Sequence, residues 1–408
     1  MNYNEAKAKL EAVGQTQLLR YYDELDPDAA KDLLDQIERT DFSVVDAIAV
    51  RDTLNVRGVI SPIDSMELPE IEKNAAHFRK TGLEAIRAGQ VGAVMLAGGM
   101  GTRLGSDNPK GMYDIGLTKH VYIFQRLVEN LLDVVREAGT WVPLYIMTSE
   151  KNNDATVGFF KEMDYFGYDP SFVHFFKQDM APATDYEGHV YLEGKGRIAT
   201  SPNGNAGWFI SMEKAGLARE AKEKGVKWLN VFAVDNVLQR MADPLFVGAV
   251  IEGGYVSGSK VVRKVAKDEK VGAICLEDGK PSIVEYYDMT EELMDAVNEK
   301  GDPAYNFGVI LNYLFSIDEL YAILEKKLPL HVVEKKIPCL DEKGNPFKPS
   351  EPNGFKFEQL VLDMIHQMKD TLPFEVVREK EFAPIKNKTG VDSVESAREL
   401  CKLNGIEL

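Results

Sequence analysis

The clearest pattern along the chain is an alternation of short apolar runs with helical segments between about residues 88 and 360. Short apolar runs bounded by polar or glycine-rich segments are typical of strands that are buried on both faces. The strand candidates are Val91–Leu96, Leu144–Thr148, Val173–Phe176 and Leu229–Val234, and the helical stretches between them include Phe124–Glu137 and Trp208–Lys224. This alternation predicts an α/β fold in which helices cover a mainly parallel sheet.

A β-hairpin is also predicted within this region. Ala273–Glu277 and Ser282–Tyr286 flank the dipeptide Asp278-Gly279, which is a strong signal for a tight turn between two antiparallel strands. The sheet is therefore expected to be mixed, with an antiparallel insertion.

The two ends of the chain show other patterns. Residues 1–58 predict a helical segment, in which Asp26-Pro27 is typical of a helix start. Its expected buried positions are Ala6, Leu10, Val13, Leu33 and Ile37. Residues 365–408 predict a strand at Phe374–Val377 and a final helix. We expect three parts: a helical segment at 1–58, a central domain at 59–364, and a C-terminal segment at 365–408 that packs on it.

The segment that follows the first predicted strand is rich in glycine and carries two fixed cations. It runs from Leu96 to Leu117 and reads LAGGMGTRLGSDNPKGMYDIGL. The spacing of its glycines is one residue too long for a dinucleotide fingerprint, and Lys110 is not followed by the hydroxyl residue of a phosphate-binding P-loop. A tight turn with solvated basic residues is the structural alternative.

The composition of this loop favours nucleotide binding over that alternative. Gly98, Gly99 and Gly101 carry no side chains, so a planar base and a triphosphate can lie against the backbone. Arg103 and Lys110 would neutralise the phosphates and the charge that develops during a transfer reaction.

Composition limits the partners. The chain has 408 residues, 48 basic against 65 acidic side chains, and a formal net charge of −17. Such an acidic chain is a poor nucleic-acid binder, because it lacks the cations that replace phosphate counterions. The three cysteines form no C-x-x-C pair, which excludes a cysteine zinc site and fits a reducing compartment. No signal-peptide pattern or membrane-spanning apolar stretch is found. A cytoplasmic protein without membrane partners is expected, and its oligomeric state stays open.

Several of these segments resemble the eukaryotic-type UDP-N-acetylhexosamine pyrophosphorylases, a family of uridylyltransferases. Besides the glycine loop, the matching segments occur in the family's order from about residue 10 to about residue 400. They are YIMTS at Tyr145–Ser149, FFKQDMAPA at Phe175–Ala183, SPNGNAG at Ser201–Gly207, AVDN at Ala233–Asn236, VVEKKIP at Val332–Pro338, KPSEPNGFKFE at Lys348–Glu358 and FAPIKN at Phe382–Asn387. The resemblance implies a Rossmann-like nucleotidyltransferase fold, of the nucleotide-diphospho-sugar transferase kind.

The resemblance also implies roles for single residues. Asp235 ends an apolar strand, a position that by itself also suits a capping role. The resemblance implies that Asp235 binds Mg²⁺ or Mn²⁺. Gln178, otherwise an ordinary polar loop residue, would recognise uracil together with the backbone of Ala97, Gly98 and Gly99. The remaining implied contacts are Gly101, Pro202, Gly204 and Asn205 with the nucleotide, Gly272, Glu285 and Asn306 with the sugar, and Lys386 with the phosphates.

The implied reaction joins UTP and N-acetylglucosamine 1-phosphate into UDP-N-acetylglucosamine and pyrophosphate by in-line attack at the α-phosphate, with Arg103 and Lys110 stabilising charge. The sequence departs from the family pattern beside the sugar residues, at Phe307 and Val309 and at Tyr287-Asp288. The preferred sugar therefore stays open among N-acetylglucosamine, N-acetylgalactosamine and glucose, as does a broad UDP-sugar pyrophosphorylase. A catalytically silent nucleotide-sugar binding protein is the alternative from another class.

Overall fold

The structure is a computed structural model that describes residues 1–54, 57–299, 301–324, 326 and 328–408, and all predicted site residues lie within these ranges. The α-helices are α1 Tyr3–Ala12, α2 Pro27–Arg39, α3 Ala47–Leu54, α4 Leu68–Arg87, α5 Ile123–Ala138, α6 Asn153–Glu162, α7 Trp208–Lys214, α8 Leu217–Glu223, α9 Pro244–Glu252, α10 Glu291–Asp295, α11 Ile317–Leu324, α12 Val361–Gln367, α13 Arg378–Glu381 and α14 Val394–Leu403.

Most of the strands have six residues or fewer, and Phe307–Ser316 is the longest of those described. They are β1 Ile60–Ser61, β2 Val91–Leu96, β3 Leu144–Thr148, β4 Val173–Lys177, β5 Met180–Pro182, β6 Leu192–Gly194, β7 Arg197–Ile198, β8 Thr200–Pro202, β9 Trp228–Ala233, β10 Ser257–Arg263, β11 Ala273–Glu277, β12 Lys280–Val284, β13 Phe307–Ser316, β14 His331–Lys335, β15 Cys339–Leu340, β16 Pro346–Phe347, β17 Gly354–Glu358 and β18 Leu372–Glu375.

The chain divides into two compact units, each built from three segments. The larger unit consists of Arg57–Gln178, Trp208–Lys327 and Leu362–Leu408, and the smaller unit consists of Met1–Val56, Asp179–Gly207 and Leu328–Val361. The boundaries expected from the sequence, 1–58, 59–364 and 365–408, divide the chain into three consecutive segments, whereas each compact unit combines segments that are separate in sequence. These boundaries stay a prediction.

The larger unit is organised around a ten-stranded mixed sheet. Strands β9, β2, β3 and β4 run parallel in that order, with Ala93 of β2 opposite Leu144 of β3 and Asn230 of β9. Antiparallel pairing enters through β13, which lies beside β9, β10 and β11. The predicted mixed sheet with parallel central strands is confirmed. Every residue of β2 is buried, because both faces of the sheet are covered.

Glycines allow two helices of this unit, α4 and α9, to approach each other closely. A Cβ atom on Gly82 of α4 would lie 2.0 Å from the carbonyl oxygen of Pro244. A Cβ atom on Gly248 of α9 would lie 1.8 Å from the carbonyl oxygen of Phe78. The two backbones therefore touch directly, and any larger residue at either position would push the helices apart.

Most of the predicted elements are confirmed, with three local differences, one of which is that β18 occupies 372–375 instead of the predicted 374–377. The hairpin turn forms at Asp278 (φ +50°) and Gly279 (φ +78°), as the dipeptide predicts, but β12 occupies 280–284 instead of 282–286. The predicted helix 208–224 is interrupted at Gly216, which takes φ +78° and separates α7 from α8.

The smaller unit combines α1–α3 with four two-stranded antiparallel sheets. The predicted inward positions Ala6, Leu10, Leu33 and Ile37 are fully buried in its hydrophobic cluster. The prediction for Val13 is wrong: its side chain is 41% exposed, because α1 ends at Ala12 and Val13 only caps it. Within the described ranges, no helix is both long and apolar enough to cross a membrane.

Candidate active site

The glycine-rich loop after β2 folds back on itself. The backbone N–H of Gly101 donates to the carbonyl oxygen of Asn108 at 2.8 Å, and that of Lys110 donates to Gly99 at 3.1 Å. This hydrogen bond places Lys110 beside the start of the loop. Arg103 lies in the short turn Thr102–Leu104 at the far end, where its side chain is exposed and the buried Leu104 anchors the turn.

Asn152 fixes the start of the loop, a role that the sequence analysis did not identify. Its side chain is completely buried, and its amide nitrogen donates to the carbonyl oxygens of Ala97 at 2.8 Å and Gly99 at 3.3 Å. Its carbonyl oxygen accepts from the backbone N–H of Ser149 at 2.7 Å. The loops after β2 and β3 are therefore tied together. The available signal was an amide side chain shortly after a predicted buried strand.

Gln178 lies against the glycine loop, as expected for a residue that recognises a base beside it. A Cβ atom on Gly98 would lie 2.9 Å from the side-chain oxygen of Gln178, so this contact requires glycine at position 98. The backbone N–H of Gln178 donates to Thr148 at 2.8 Å, which fixes its place after β4. A Cβ atom on Gly99, in contrast, would meet open space. A planar group therefore has room above Gly99 and an amide at its edge.

Lys110 and Asp235 meet at the carboxyl ends of the parallel strands. The Lys110 ammonium nitrogen lies 3.9 Å from a carboxylate oxygen of Asp235, and the two side chains are 19% and 24% exposed. Asp235 follows β9, the neighbour of β2, so the order of strands in the sheet produces this pair. In open α/β sheets, ligands bind in the crevice at this edge.

The C-terminal segment runs along Asp235. The backbone N–H of Ile385 donates to the carbonyl oxygen of Asp235 at 2.9 Å, and the buried Asn236 accepts from Ala383 at 2.9 Å. Lys386 follows directly, and its ammonium nitrogen is 3.0 Å from a carboxylate oxygen of Asp392. The expected contact of Lys386 with phosphates stays a prediction, and its present partner is an internal carboxylate.

Gly272 and Glu285 lie beside each other at the hairpin, as the predicted sugar contacts require. A Cβ atom on Gly272 would come within 3.6 Å of the Glu285 carboxyl carbon, and the carbonyl oxygen of Gly272 accepts from Val309 at 2.9 Å. Burial raises the pKa of the Glu285 carboxyl, and the nearby Asp288 raises it further. Among the described residues, no hydrogen-bond partner of this carboxylate is found. A half-buried carboxylate of this kind is ready to accept a ligand hydroxyl.

Asn306, the third predicted sugar residue, lines a cavity of about 270 Å³ together with Lys264 and Tyr305. Neither Gly272 nor Glu285 is part of the described lining, so the cavity does not itself unite the three residues. Next to Asn306, the Phe307 ring is covered by the Arg263 guanidinium at 4.9 Å.

Pro202, Gly204 and Asn205 belong to the smaller unit. Gly204 takes φ +88°, and a Cβ atom there would lie 2.1 Å from the carbonyl oxygen of Gln359. The side-chain oxygen of Asn205 accepts from the backbone N–H of Val361 at 2.8 Å. These contacts give Gly204 and Asn205 a structural role. The roles of all three residues in nucleotide binding stay predictions.

A comparison with known protein families identifies the family of the chain. A family model described as UTP–glucose-1-phosphate uridylyltransferase matches residues 60–405. The chain belongs to this family. The match to the uridylyltransferase family includes every predicted site residue, from Ala97 to Lys386, and confirms the nucleotidyltransferase fold.

Individual relatives agree with the family. UDP-N-acetylhexosamine pyrophosphorylase-like protein 1 of Mus musculus is 35% identical over 416 residues, which cover 95% of this chain and 81% of the relative. UDP-N-acetylglucosamine pyrophosphorylase of Saccharomyces cerevisiae is 35% identical over 416 residues, with coverages of 94% and 86%. The solved structure of the uridine diphosphate N-acetylglucosamine pyrophosphorylase from Trypanosoma brucei superimposes with a TM-score of 0.83 at 25% identity, covering 97% of this chain and 84% of that one.

Proposed function

We propose that this protein joins UTP and N-acetylglucosamine 1-phosphate into UDP-N-acetylglucosamine and pyrophosphate. Family membership supports a uridylyltransferase, and the yeast and trypanosomal relatives carry the name of the N-acetylglucosamine enzyme. The observation that carries the proposal is the pairing of Lys110 with Asp235 at 3.9 Å beside the glycine loop. A cation and an acid at this edge of the sheet suit a reaction at a phosphate.

The proposed mechanism is a direct displacement at the α-phosphorus of UTP. An oxygen of the sugar 1-phosphate forms a bond to the α-phosphorus, while the bond from that phosphorus to the α,β-bridging oxygen breaks and pyrophosphate leaves. The nucleophile is already an anion, so no general base is required. Catalysis then consists of positioning and charge stabilisation. Lys110 stabilises the α-phosphoryl oxygens, and Arg103 and the loop backbone hold the β- and γ-phosphates.

Asp235 fits a magnesium site. Its carboxylate is partly exposed and makes no hydrogen bond to any described residue, so its oxygens are available to a cation. Mg²⁺ prefers one or two carboxylates together with phosphate oxygens and water, so a single Asp beside a bound triphosphate is enough. Asp235 would hold the ion, which would neutralise phosphate charge when bound; Mn²⁺ has the same ligand preferences.

Glu285 supports a sugar site beside this centre. Its carboxylate is half-buried and has no hydrogen-bond partner among the described residues, while Lys386 is close enough to act on it electrostatically. A hydroxyl of the sugar would satisfy the carboxylate, and a lysine nearby suits the phosphate attached to that sugar.

We place the enzyme in the cytoplasm, since its cysteines are unpaired and buried.

The test is pyrophosphate release from UTP and Mg²⁺ with N-acetylglucosamine, N-acetylgalactosamine and glucose 1-phosphates. Lys110→Ala is the test variant, and Lys402→Ala, which alters an exposed lysine of α14, is the matched control. We expect release with N-acetylglucosamine 1-phosphate that is lost in Lys110→Ala and kept in Lys402→Ala. A clear preference for glucose 1-phosphate would replace the proposed sugar. Tight UDP-sugar binding without turnover of any sugar would establish the silent binding protein instead.

A further inference from the structure

A lysine outside the predicted site lies directly on the glycine loop. A Cβ atom on Gly105 would come within 2.9 Å of the ammonium nitrogen of Lys388 and 3.3 Å of its Cε. Gly105 itself takes φ +72°, a conformation that favours glycine, and follows the turn that holds Arg103. The loop therefore leaves space for the Lys388 head group at its far end.

The backbone around Lys388 is fixed by its own hydrogen bonds. The N–H groups of Lys386 and Asn387 both donate to the carbonyl oxygen of Asp392, at 2.7 and 3.0 Å, and Val394 donates back to Asn387 at 3.0 Å. The segment is thus a closed turn between the strand-like stretch beside Asp235 and helix α14. Lys388 projects from a defined position.

The two lysines of this turn differ in their electrostatic partners. Lys386 is paired with Asp392 at 3.0 Å. No carboxylate oxygen of a described residue lies within 4.0 Å of the Lys388 ammonium nitrogen, and the same is true of the Arg103 guanidinium. In a chain with a net charge of −17, two unpaired cations at one loop are positioned to bind an anion.

The order of groups along the loop indicates which part of UTP they would meet. Gln178 marks the base end at Gly98, and Lys110 returns to Gly99 beside Asp235. Arg103 and Gly105 lie further along the loop. A triphosphate that starts at the base end and passes Lys110 with its α-phosphate would extend its terminal phosphates towards this far end.

We propose that Lys388 binds the β- and γ-phosphates of UTP, and hence the departing pyrophosphate, together with Arg103. The proposal rests on the proposed uridylyltransferase activity. It assigns the pyrophosphate contact to Lys388 and separates it from Lys386, which is paired with Asp392 and acts electrostatically on the sugar carboxylate Glu285.

The reverse reaction separates the two halves of the site, because pyrophosphate and UDP-N-acetylglucosamine are then independent substrates. In Lys388→Gln we expect the KM for pyrophosphate to rise about tenfold, the effect of losing one charge-assisted hydrogen bond. The KM for UDP-N-acetylglucosamine should stay within about twofold of the wild-type value, since the nucleotide sugar does not contain the two phosphates of UTP that leave as pyrophosphate. Lys388→Arg should retain most of the pyrophosphate affinity, and Lys402→Gln should behave as the wild type.

An unchanged KM for pyrophosphate in Lys388→Gln, or equal increases for both substrates, would overturn the proposal. If the wild type showed no turnover in either direction, the proposed function would fail. Calorimetry with pyrophosphate on wild type and Lys388→Gln would then still decide the role of Lys388: equal affinities would refute it.

Discussion

The ammonium nitrogen of Lys260 lies 2.6 Å from a carboxylate oxygen of Glu381, and the Lys260 side chain is completely buried. The same nitrogen lies 2.9 Å from a carboxylate oxygen of Asp243 and donates to the carbonyl oxygen of Arg240 at 3.1 Å. Burial raises the pKa of Glu381. Burial also acts to raise the pKa of Asp243, but Lys260, Arg240 and the backbone N–H of Leu245 together hold that pKa below its ordinary value. One buried cation thus serves two buried acids.

This ion cluster is connected to the active site through the backbone. The carbonyl oxygen of Glu381 accepts from the side-chain amide of Asn236 at 2.7 Å, and Asn236 adjoins Asp235. Two residues further, Ala383 donates to the side-chain oxygen of Asn236. The cluster therefore fastens the segment that carries Lys386 and Lys388 to the strand end that carries Asp235.

We expect Lys260→Met to lower the free energy of unfolding by about 3–5 kcal/mol, because it leaves buried carboxylates without their cation. Adding Glu381→Gln should recover part of this loss, since it removes one uncompensated charge and keeps an acceptor oxygen. Urea denaturation of both variants measures the effect.

The control for Lys260→Met is Lys222→Met, which breaks an exposed pair with Asp318 at 2.7 Å. Such surface pairs contribute at most about 1 kcal/mol. Equal destabilisation by the two substitutions would show that burial of Lys260 is irrelevant to its contribution.

Gly98→Ala should weaken base discrimination while the protein still folds. The added methyl group would press on the side-chain oxygen of Gln178 and not on the backbone, so the Gln178 amide is the group that has to move. Losing one well-placed hydrogen bond to uracil should reduce the preference in kcat/KM for UTP over CTP by about tenfold. Steady-state kinetics with both nucleotides provides the measurement, and Gln178→Ala should show the same loss.

Gly99→Ala is the informative companion to Gly98→Ala. No described residue of the free protein would contact the added methyl group, so the melting temperature of Gly99→Ala should equal that of the wild type. If Gly99 faces the nucleotide, the KM of Gly99→Ala for UTP should rise, while the ratio of kcat/KM for UTP to that for CTP should not change. A reversed pattern, with Gly99→Ala altering base choice and Gly98→Ala altering neither parameter, would contradict the assigned positions.

Asp235→Asn should change the dependence on magnesium. The substitution keeps the shape and removes the charge, so the Mg²⁺ concentration for half-maximal activity should rise at least about tenfold, corresponding to loss of a ligand charge. EDTA should abolish wild-type activity, and Mg²⁺ should restore it. Activity that persists in EDTA, or an unaltered magnesium titration for Asp235→Asn, would rule out this metal site.

The parallel strands could be predicted from the sequence because burial on both faces leaves a continuous apolar run. Both β2 and β3 occur at the predicted residues, and β9 differs by one residue at each end. Their order in the sheet then brings Lys110 to Asp235, although more than a hundred residues separate them. Motif and topology together therefore predicted that these two residues of the candidate site lie close together.

Long-range side-chain contacts could not be predicted in this way. The pairing of Lys386 with Asp392 depends on a closed turn in which Asp392, a residue that is not glycine, takes a positive φ two residues after Gly390. The approach of Lys388 to Gly105 and the anchoring of the loop by Asn152 depend on segments that meet only in the folded chain. Neither hydrophobic periodicity nor a local motif contains that information.

Glu285→Gln should make the protein more stable and less active. Folding raises the pKa of the Glu285 carboxyl above its ordinary value. The contribution of this carboxyl to stability is therefore fully present when the pH is below the ordinary pKa, and it is lost as the pH rises through the raised pKa. Once ionised, the wild-type carboxyl carries a half-buried charge that the neutral amide avoids. We expect a higher melting temperature for Glu285→Gln at pH 7 than for the wild type, with the difference disappearing in acid.

The same substitution should raise the KM for the sugar 1-phosphate about tenfold, because a carboxylate accepts a hydroxyl hydrogen bond more strongly than an amide does. Glu399→Gln, at an exposed position of α14, is the matched control and should alter neither property. Melting curves from pH 4 to 8 beside sugar kinetics test both parts. A Glu285→Gln protein that is less stable at pH 7 would show that this carboxylate serves the fold, and an unchanged KM would remove it from the sugar site.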